Sequence, residues 1–196
     1  LIRHLPSPYA HNLIDKHNHD REFYFPEVKV MKKDLKIGLI GYGIVGSGVY
    51  QLIKKNAEII RARTGISISI KTVCDLRAEK LAAELTDLTL TTDWKDILND
   101  KEIDTVVELI GGIEPARMMI SESLKAGKNV VTANKKLLAV AGEEIFKLAD
   151  NSKVKLGFEA SVGGGIPCLD ALKSGLVGNR INSVTGILNG TTNYIL

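Results

Sequence analysis

The first residues suited to chemistry form a glycine motif at positions 41–46 of this chain of 196 residues. An apolar run, residues 36–40, leads directly into Gly41-Tyr42-Gly43-Ile44-Val45-Gly46 and then into a long segment of helical character. In a G-x-G-x-x-G pattern with these flanks, the first glycine permits a tight turn, the second lets backbone approach a pyrophosphate, and the third lets the helix pack close to the strand. The anion would lie on free N–H groups at the positive end of the helix. The motif therefore predicts a dinucleotide site, and the alternative is a purely structural glycine turn.

A carboxylate at the end of the second strand is the next expected part of such a site. Asp75 follows the apolar run 67–74, 29 positions beyond Gly46, where the usual figure is about 20. That spacing requires a first helix that runs to about Arg63 before the chain turns back. Asp75 would then hold the ribose hydroxyls of NAD, whereas Arg77 and Lys80 close behind it could instead meet the 2′-phosphate of NADP. A turn residue or helix cap is the alternative role for Asp75, and the choice between NAD and NADP stays open.

Three later segments combine apolar strands with polar ends. Lys135 follows the buried run 129–132, so it lies at the carboxyl edge of the sheet, where open α/β folds bind ligands. It is placed to meet cofactor or substrate, or else it is a solvated lysine in the first turn of a helix. Residues 163–165 are three consecutive glycines, which expose backbone carbonyls to a ligand or ion. Residues 186–194 pass from a strand into amide and hydroxyl side chains.

Short β-branched runs alternate with amphipathic segments of helical length from Leu35 onward. This alternation predicts an α/β fold with a doubly wound parallel sheet of Rossmann type, covered by helices. The predicted strands are 35–40, 67–74, 105–109, 129–132 and 154–158, with a weak further strand at 88–91. The predicted helices are 46–63, 77–84, 114–126 and 136–150, and Asp93 is expected to cap a further short helix.

Composition excludes several classes of protein. The formal charge is +3, from 26 basic and 23 acidic side chains without blocks of one sign, so neither nucleic acid nor an anionic membrane is implied as a partner. No apolar run reaches membrane-spanning length. The two cysteines, Cys74 and Cys168, are too few for a disulfide framework or a zinc site, which fits a reducing, cytoplasmic compartment.

Residues 1–34 differ from the rest of the chain. They contain no glycine and all four histidines, which makes an irregular leader the expectation, with Met31 as a candidate native start. The leader lacks the apolar run of a secretory signal, and it is too acidic for a transit peptide. A metal on the pair His17 and His19 is the alternative to a solvated tail. Since the remainder has no histidine, its chemistry must use lysine, carboxylate, hydroxyl, thiol or backbone groups.

Five ordered motifs together resemble homoserine dehydrogenases. The resemblance runs from about Lys36 to Leu196. It rests on 41–46 (GYGIVG), 107–112 (VELIGG), 132–135 (TANK), 159–167 (EASVGGGIP) and 186–196 (GILNGTTNYIL). It implies NAD(P)-dependent interconversion of L-homoserine and L-aspartate 4-semialdehyde, a step toward threonine and methionine. It also implies a Rossmann-type NAD(P)-binding domain over 35–158, followed by the start of an α+β substrate and dimerisation region over 159–196, in a homodimer when the protein is full-length.

The resemblance also assigns roles to individual residues. Tyr42, Ile44 and Val45 would contact the dinucleotide through backbone and side chain, together with the glycines of their loop. Lys135 resembles the family lysine that reaches both cofactor and substrate oxygen, so it is the expected catalytic residue. The carbonyls expected to cradle a monovalent cation, usually sodium, belong to Glu159, Val162, Gly164 and Ile166. Oxygen-only ligation suits a hard, weakly held ion.

Two departures and two rivals qualify the resemblance. Cys74 stands where some relatives carry arginine for NADPH, which favours NAD. The family's substrate-binding acids and its proton-transferring lysine normally follow the motif that ends here at Leu196, so the expected catalytic set is incomplete. A non-catalytic dinucleotide-binding fragment or pseudo-enzyme is therefore one rival. The other is a semialdehyde dehydrogenase that uses the Cys168 thiolate, which no histidine of the regular part could activate.

Overall fold

The computed structural model describes residues 33–186, and its centre is one parallel sheet of six strands. The strands lie in the order β3-β2-β1-β4-β5-β6, and every neighbouring pair is parallel. Their bounds are Lys33–Ile40 (β1), Ile66–Cys74 (β2), Thr89–Thr91 (β3), Thr105–Glu108 (β4), Asn129–Thr132 (β5) and Leu156–Gly157 (β6). The strand order reverses between β1 and β4, the point at which doubly wound sheets open a ligand crevice. The predicted fold class is confirmed.

Seven α-helices connect and flank the strands in this part of the chain. They are Ile44–Lys55 (α1), Ala57–Thr64 (α2), Ala78–Leu81 (α3), Trp94–Asn99 (α4), Ala116–Lys125 (α5), Lys135–Ser152 (α6) and Cys168–Asp170 (α7). The predicted cap is confirmed, because the Asp93 side chain accepts a hydrogen bond from the Lys95 N–H. The single long helix predicted over 46–63 is wrong. Asn56 leaves helical geometry between α1 and α2, and Gly65 ends α2 with a left-handed φ of 70°.

The first and last strands also differ from prediction. β1 begins at Lys33, so Lys33 and Asp34 belong to the sheet rather than to the leader. β6 is shorter than 154–158 because the end of α6 uses its first residues: Lys153 is left-handed, and the Val154 N–H donates to the Ala149 carbonyl. After β6 the chain forms a 3₁₀ turn, Glu159–Ser161, and beyond α7 a π turn, Ala171–Gly175.

Two apolar clusters form the core, one on each face of the sheet. Successive strand residues point to opposite faces, and Val106 and Val107 accordingly belong to different clusters. The first cluster joins Val106 to α5 and α6, for example through Ile120 and Ile145. The second joins Val107 to Leu39 of β1 and to the α1 side. The core therefore fixes the carboxyl ends of β1, β2, β4 and β5 beside one another.

The predictions for residues 1–32, including His17 and His19, and for residues 187–196 lie outside the described residues. Within 33–186, no helix combines the length and apolar character needed to cross a membrane.

Candidate cofactor-binding site

The glycine loop lies between β1 and α1, at the point where the strand order reverses. Gly41 has a φ of +96°, which strongly favours glycine. A Cβ on Gly46 would lie 2.1 Å from the Gly41 carbonyl oxygen, so α1 can approach the turn only without a side chain there. Nothing lies within 4 Å of a Cβ built on Gly43, and this residue supplies no side-chain cap to α1. The loop thus leaves open space in front of uncapped helix N–H groups, a fit for a pyrophosphate.

Asp75 lies directly after β2 and contacts this loop. Its Oδ2 accepts hydrogen bonds from the Tyr42 N–H (2.8 Å) and Arg77 Nη2 (3.1 Å). Its Oδ1 accepts from the Arg77 N–H (2.9 Å) and Arg77 Nε (2.9 Å). A carboxylate offers about four lone-pair sites, so all of them have partners here. Hydrogen bonds from the Arg77 side chain, more than any other cause, lower the pKa of Asp75 to about 2.

Arg77 also holds the loop itself, because its Nη2 donates to the Tyr42 carbonyl (2.7 Å). Its side chain remains half exposed, whereas the Asp75 side chain is largely covered. The guanidinium thus closes over Asp75 while keeping donors in solvent. Ribose hydroxyls can reach the Asp75 carboxylate only if Arg77 gives way.

The predicted side-chain contact of Tyr42 with a dinucleotide is wrong, because this side chain is buried against Tyr50 and leaves only its backbone to a ligand. Exposed apolar side chains of other residues border the loop. Ile44 is 94% exposed and Leu76 is 90% exposed, and Val45 is also exposed. Ile44 and Val45 form the first turn of α1, and Leu76 lies next to Asp75. Apolar side chains in these places match a ligand that covers them, as the rings of a dinucleotide would.

Lys135 is the first residue of α6 and is exposed. Asn134 before it caps the helix, since its Oδ1 accepts from the Leu137 N–H (3.1 Å). A cation in the first turn of a helix faces the positive end of the helix dipole, so helix stability does not account for lysine here. The site places Lys135 at the carboxyl end of β5, across the strand-order reversal from Asp75.

The loop predicted to hold a cation contains two left-handed glycines, Gly163 and Gly164. The four expected ligands are neutral backbone oxygens within residues 159–166. Such oxygens suit a hard monovalent ion. Of the four expected carbonyls, those of Glu159 and Ile166 accept backbone hydrogen bonds from Val162 and Cys168, each retaining a second lone pair.

The Cys168 thiol and the Glu159 carboxylate lie beside this loop and contact the start of α7 or the loop backbone. The Val162 carbonyl is 3.7 Å from Cys168 Sγ. The Glu159 carboxylate does not point to the ion site but caps α7, accepting from the Leu169 N–H (2.8 Å) and the Asp170 N–H (3.0 Å).

Neither cysteine is arranged for covalent chemistry. Burial raises the pKa of the Cys74 thiol to about 11, which keeps it neutral. Cys168 begins α7, a helix of three residues, which is too short to supply the dipole that the rival mechanism requires. Both cysteines are free thiols.

Three contributors to the site were not foreseen from the sequence. The contact of Arg77 with Asp75 depends on the side-chain rotamer of Arg77, which the sequence does not determine. The exposed Leu76 belongs to no sequence motif that would have marked it as part of a site. Glu108 is 0% exposed at the end of β4, although a charged residue is usually expected at the surface. A carboxylate that ends an apolar run, as in Thr105-Val106-Val107-Glu108, is the signal that could have found it.

A doubly wound sheet with this glycine loop at its reversal point, and a carboxylate beyond β2, defines a dinucleotide-binding domain of Rossmann type. A sequence model described as "Homoserine dehydrogenase, NAD binding domain" matches residues 41–159, and one described as "Homoserine dehydrogenase" matches residues 167–196. The chain therefore belongs to the homoserine dehydrogenase family.

Several relatives support this assignment. The homoserine dehydrogenase of Neisseria gonorrhoeae is 45% identical over 84% of this chain, and that of Helicobacter pylori is 46% identical over 85%. The crystal structure of a homoserine dehydrogenase from Thiobacillus denitrificans superimposes with a TM-score of 0.77 at 46% identity, covering 84% of this chain and 38% of that one. The chain likewise spans 38% of the length of the two curated relatives.

Proposed function

We propose that this chain supplies the NAD(P)-binding domain of a cytoplasmic homoserine dehydrogenase, which interconverts L-homoserine and L-aspartate 4-semialdehyde as a homodimer. The observation that carries the proposal is the open glycine loop in front of the uncapped α1, with Asp75 beside it. Membership of the homoserine dehydrogenase family, which covers most of the chain, supports homoserine and its semialdehyde as the substrates. When bound, the dinucleotide would supply the group that accepts or donates the hydride.

Each end of the dinucleotide has its own contacts in this proposal. The N–H groups that follow Gly43 would hold the pyrophosphate, and Asp75 would accept the hydroxyls of the adenine-side ribose. Arg77 is placed to receive a 2′-phosphate when it leaves Asp75, so the chain accepts NADP as well as NAD. The segments after β4 and β5 would then hold the nicotinamide half.

Lys135 is the catalytic residue in this proposal. Oxidation of an alcohol requires that its oxygen lose a proton while its carbon loses a hydride. Lys135 follows the end of β5, the side of the sheet that the nicotinamide half would reach, so its side chain would bind the substrate oxygen and share the proton transfer with the family's downstream lysine. The rest of the substrate-binding set belongs to the family's part that aligns beyond the residues described here.

The loop of Glu159, Val162, Gly164 and Ile166 is proposed to hold a monovalent cation, with sodium as the expected ion. Its support is the all-oxygen donor set and the two left-handed glycines. Such an ion would order the turn between β6 and α7. A rise in melting temperature with sodium, but not with tetramethylammonium, at constant ionic strength tests this part.

Two glycines offer a matched test of cofactor binding. Neither Gly43 nor Gly48 has any atom within 4 Å of a built Cβ, and neither has a positive φ, so alanine fits both without distorting the fold. Only Gly43 faces the expected pyrophosphate. Gly43→Ala should weaken NADH binding about tenfold or more, measured by nicotinamide fluorescence, whereas Gly48→Ala should leave it unchanged. Equal affinities in the two variants would contradict the proposed site.

Catalysis is tested in a chimera that joins this chain at residue 196 to the remaining length of the Neisseria gonorrhoeae relative. Lys135→Ala should lower the rate of homoserine oxidation about 100-fold or more, while the affinity for NADH stays unchanged. Lys136→Ala is the control, since it removes an equally exposed lysine one position along the helix. Undiminished turnover in Lys135→Ala would overturn the role of Lys135. NADH binding without any turnover in the unsubstituted chimera would favour a non-catalytic binding protein.

A further inference from the structure

Glu108 is the most deeply buried charged side chain at the carboxyl edge of the sheet, with an exposure of 0%. Its Oε1 accepts hydrogen bonds from the N–H groups of Ile110 (2.9 Å) and Gly111 (3.0 Å). Its Oε2 accepts from the Thr132 hydroxyl (2.6 Å). No salt bridge reaches Glu108 from any other described residue. Among the described residues, backbone N–H groups and one hydroxyl therefore supply the partners of this buried carboxyl group, and the loss of any one would leave a buried polar atom unsatisfied.

The Thr132 hydroxyl extends this contact to α6. It accepts from the Asn134 N–H (3.0 Å), and Asn134 Nδ2 in turn donates to the Gly112 carbonyl (2.7 Å). The Thr132 carbonyl accepts from the Ser161 hydroxyl (3.1 Å). The carboxylate of Glu108 thus connects three segments that end at the same edge: the loop after β4, the cap that precedes Lys135, and the turn after β6.

The loop held by Glu108 packs against the glycine loop. A Cβ on Gly41 would lie 2.9 Å from Ile110 Cγ2 and 3.0 Å from the carbonyl carbon of Leu109. The Leu109 N–H also donates to the Ile40 carbonyl (2.8 Å), which ties the loop to the end of β1. A dinucleotide with its adenine side at Asp75 must place its nicotinamide half on this side of the reversal point. The loop that Glu108 holds would therefore contact the nicotinamide half and not the adenine half.

We infer that Glu108 is the positioning residue for the nicotinamide half of the cofactor, acting through the loop 109–112 and, by way of Thr132 and Asn134, on the first turn of α6. This inference rests on the proposed function, because it presupposes a dinucleotide in the crevice. Glu108 contacts neither cofactor nor substrate. It fixes the loop 109–112 relative to the first turn of α6, which begins at Lys135, and the nicotinamide half would bind between these two segments.

The inference predicts an effect on one half of the ligand only. ADP-ribose contains the adenine, both phosphates and the second ribose, but it lacks the nicotinamide. In the 196-residue chain, Glu108→Gln should weaken NADH binding about tenfold and change ADP-ribose binding less than about twofold, as measured by fluorescence and calorimetry. The glutamine amide still offers one oxygen to Ile110 and Gly111, but its NH₂ group can only donate to the Thr132 hydroxyl, which loses its acceptor and must reorient.

Thr132 provides a second pair of variants that tests the same link if Glu108→Gln does not fold. Thr132→Val removes the hydroxyl at nearly constant volume and should lower NADH affinity selectively. Thr132→Ser keeps the hydroxyl and should restore the unsubstituted ratio of NADH to ADP-ribose affinity. A loss shared equally by both ligands, or no loss of either, would overturn the inference. Failure of the unsubstituted chain to bind either ligand would overturn the proposed function and this inference with it.

Discussion

Strands β2 and β4 both lead into a carboxylate at the same edge of the sheet, but the two carboxylates are held in opposite ways. Asp75 lies near the surface, and the half-exposed guanidinium of Arg77 neutralises it. Glu108 is fully buried and is satisfied by two backbone N–H groups and the Thr132 hydroxyl. A side-chain partner can rotate away when a ligand arrives, whereas backbone partners move only with their loop. The adenine side of the site is therefore built to exchange contacts, and the nicotinamide side is built to keep them.

The largest expected effect separates the two carboxylates by stability. Glu108→Ala leaves two partly buried N–H groups and the buried Thr132 hydroxyl without their acceptor and opens a cavity, so it should lower the free energy of unfolding by about 3 kcal/mol. Asp75→Ala should cost about 1 kcal/mol, because its main partner, Arg77, can be solvated instead. Urea unfolding of both variants measures the difference. Equal costs, or a larger cost for Asp75→Ala, would break the comparison.

A smaller effect concerns the exchange of contacts at Asp75. Arg77→Ala should weaken NADPH binding about tenfold, because it removes the guanidinium that would meet the 2′-phosphate. It should also tighten NADH binding, because Asp75 loses the two donors of the Arg77 side chain among its four hydrogen-bond partners. The backbone N–H of residue 77 remains, so the gain for NADH will be the smaller of the two changes.

Arg61→Ala is the control for this change of charge. Arg61 is an exposed basic residue of α2, which leads into the amino-terminal end of β2, away from the site. Its removal should alter neither affinity by more than about twofold. An unchanged ratio of NADPH to NADH affinity in Arg77→Ala would show that Arg77 does not take part in the choice of cofactor.

The smallest effect is a dependence on pH. The pKa of Asp75 is about 2 in the folded chain, below the value of about 3.9 for an unfolded aspartate. A lowered pKa means that the carboxylate stabilises the fold fully above about pH 5 and loses this contribution as pH falls through 4 toward 2. The cost of Asp75→Asn should therefore be about 1 kcal/mol at pH 6 and decline at pH 3, in urea unfolding at both values. If Asp75→Asn lowered the free energy of unfolding by the same amount at pH 6 and pH 3, the ion pair between Asp75 and Arg77 would be contradicted.

The sequence predicted the adenine side better than the nicotinamide side, for physical reasons. The glycine motif and the position of Asp75 follow from local backbone demands and from strand order, which leave a pattern in the chain. The burial of Glu108 follows from side chains that meet only after β4, β5 and the loop after β6 have come together. The Arg77 rotamer likewise depends on tertiary contact with Tyr42. The break at Asn56 between α1 and α2 shows the same limit, because amphipathic spacing continues across it.

The measurement that tests the account most directly is a crystal structure of this chain with NADH. The predicted result is that Arg77 has left the Asp75 carboxylate, which then accepts the adenine-side ribose hydroxyls. In the same structure the three hydrogen bonds of Glu108 should be unchanged beneath the nicotinamide half. A complex in which Arg77 still covers Asp75, or in which Glu108 has exchanged its partners, would contradict the division between an exchanging side and a fixed side.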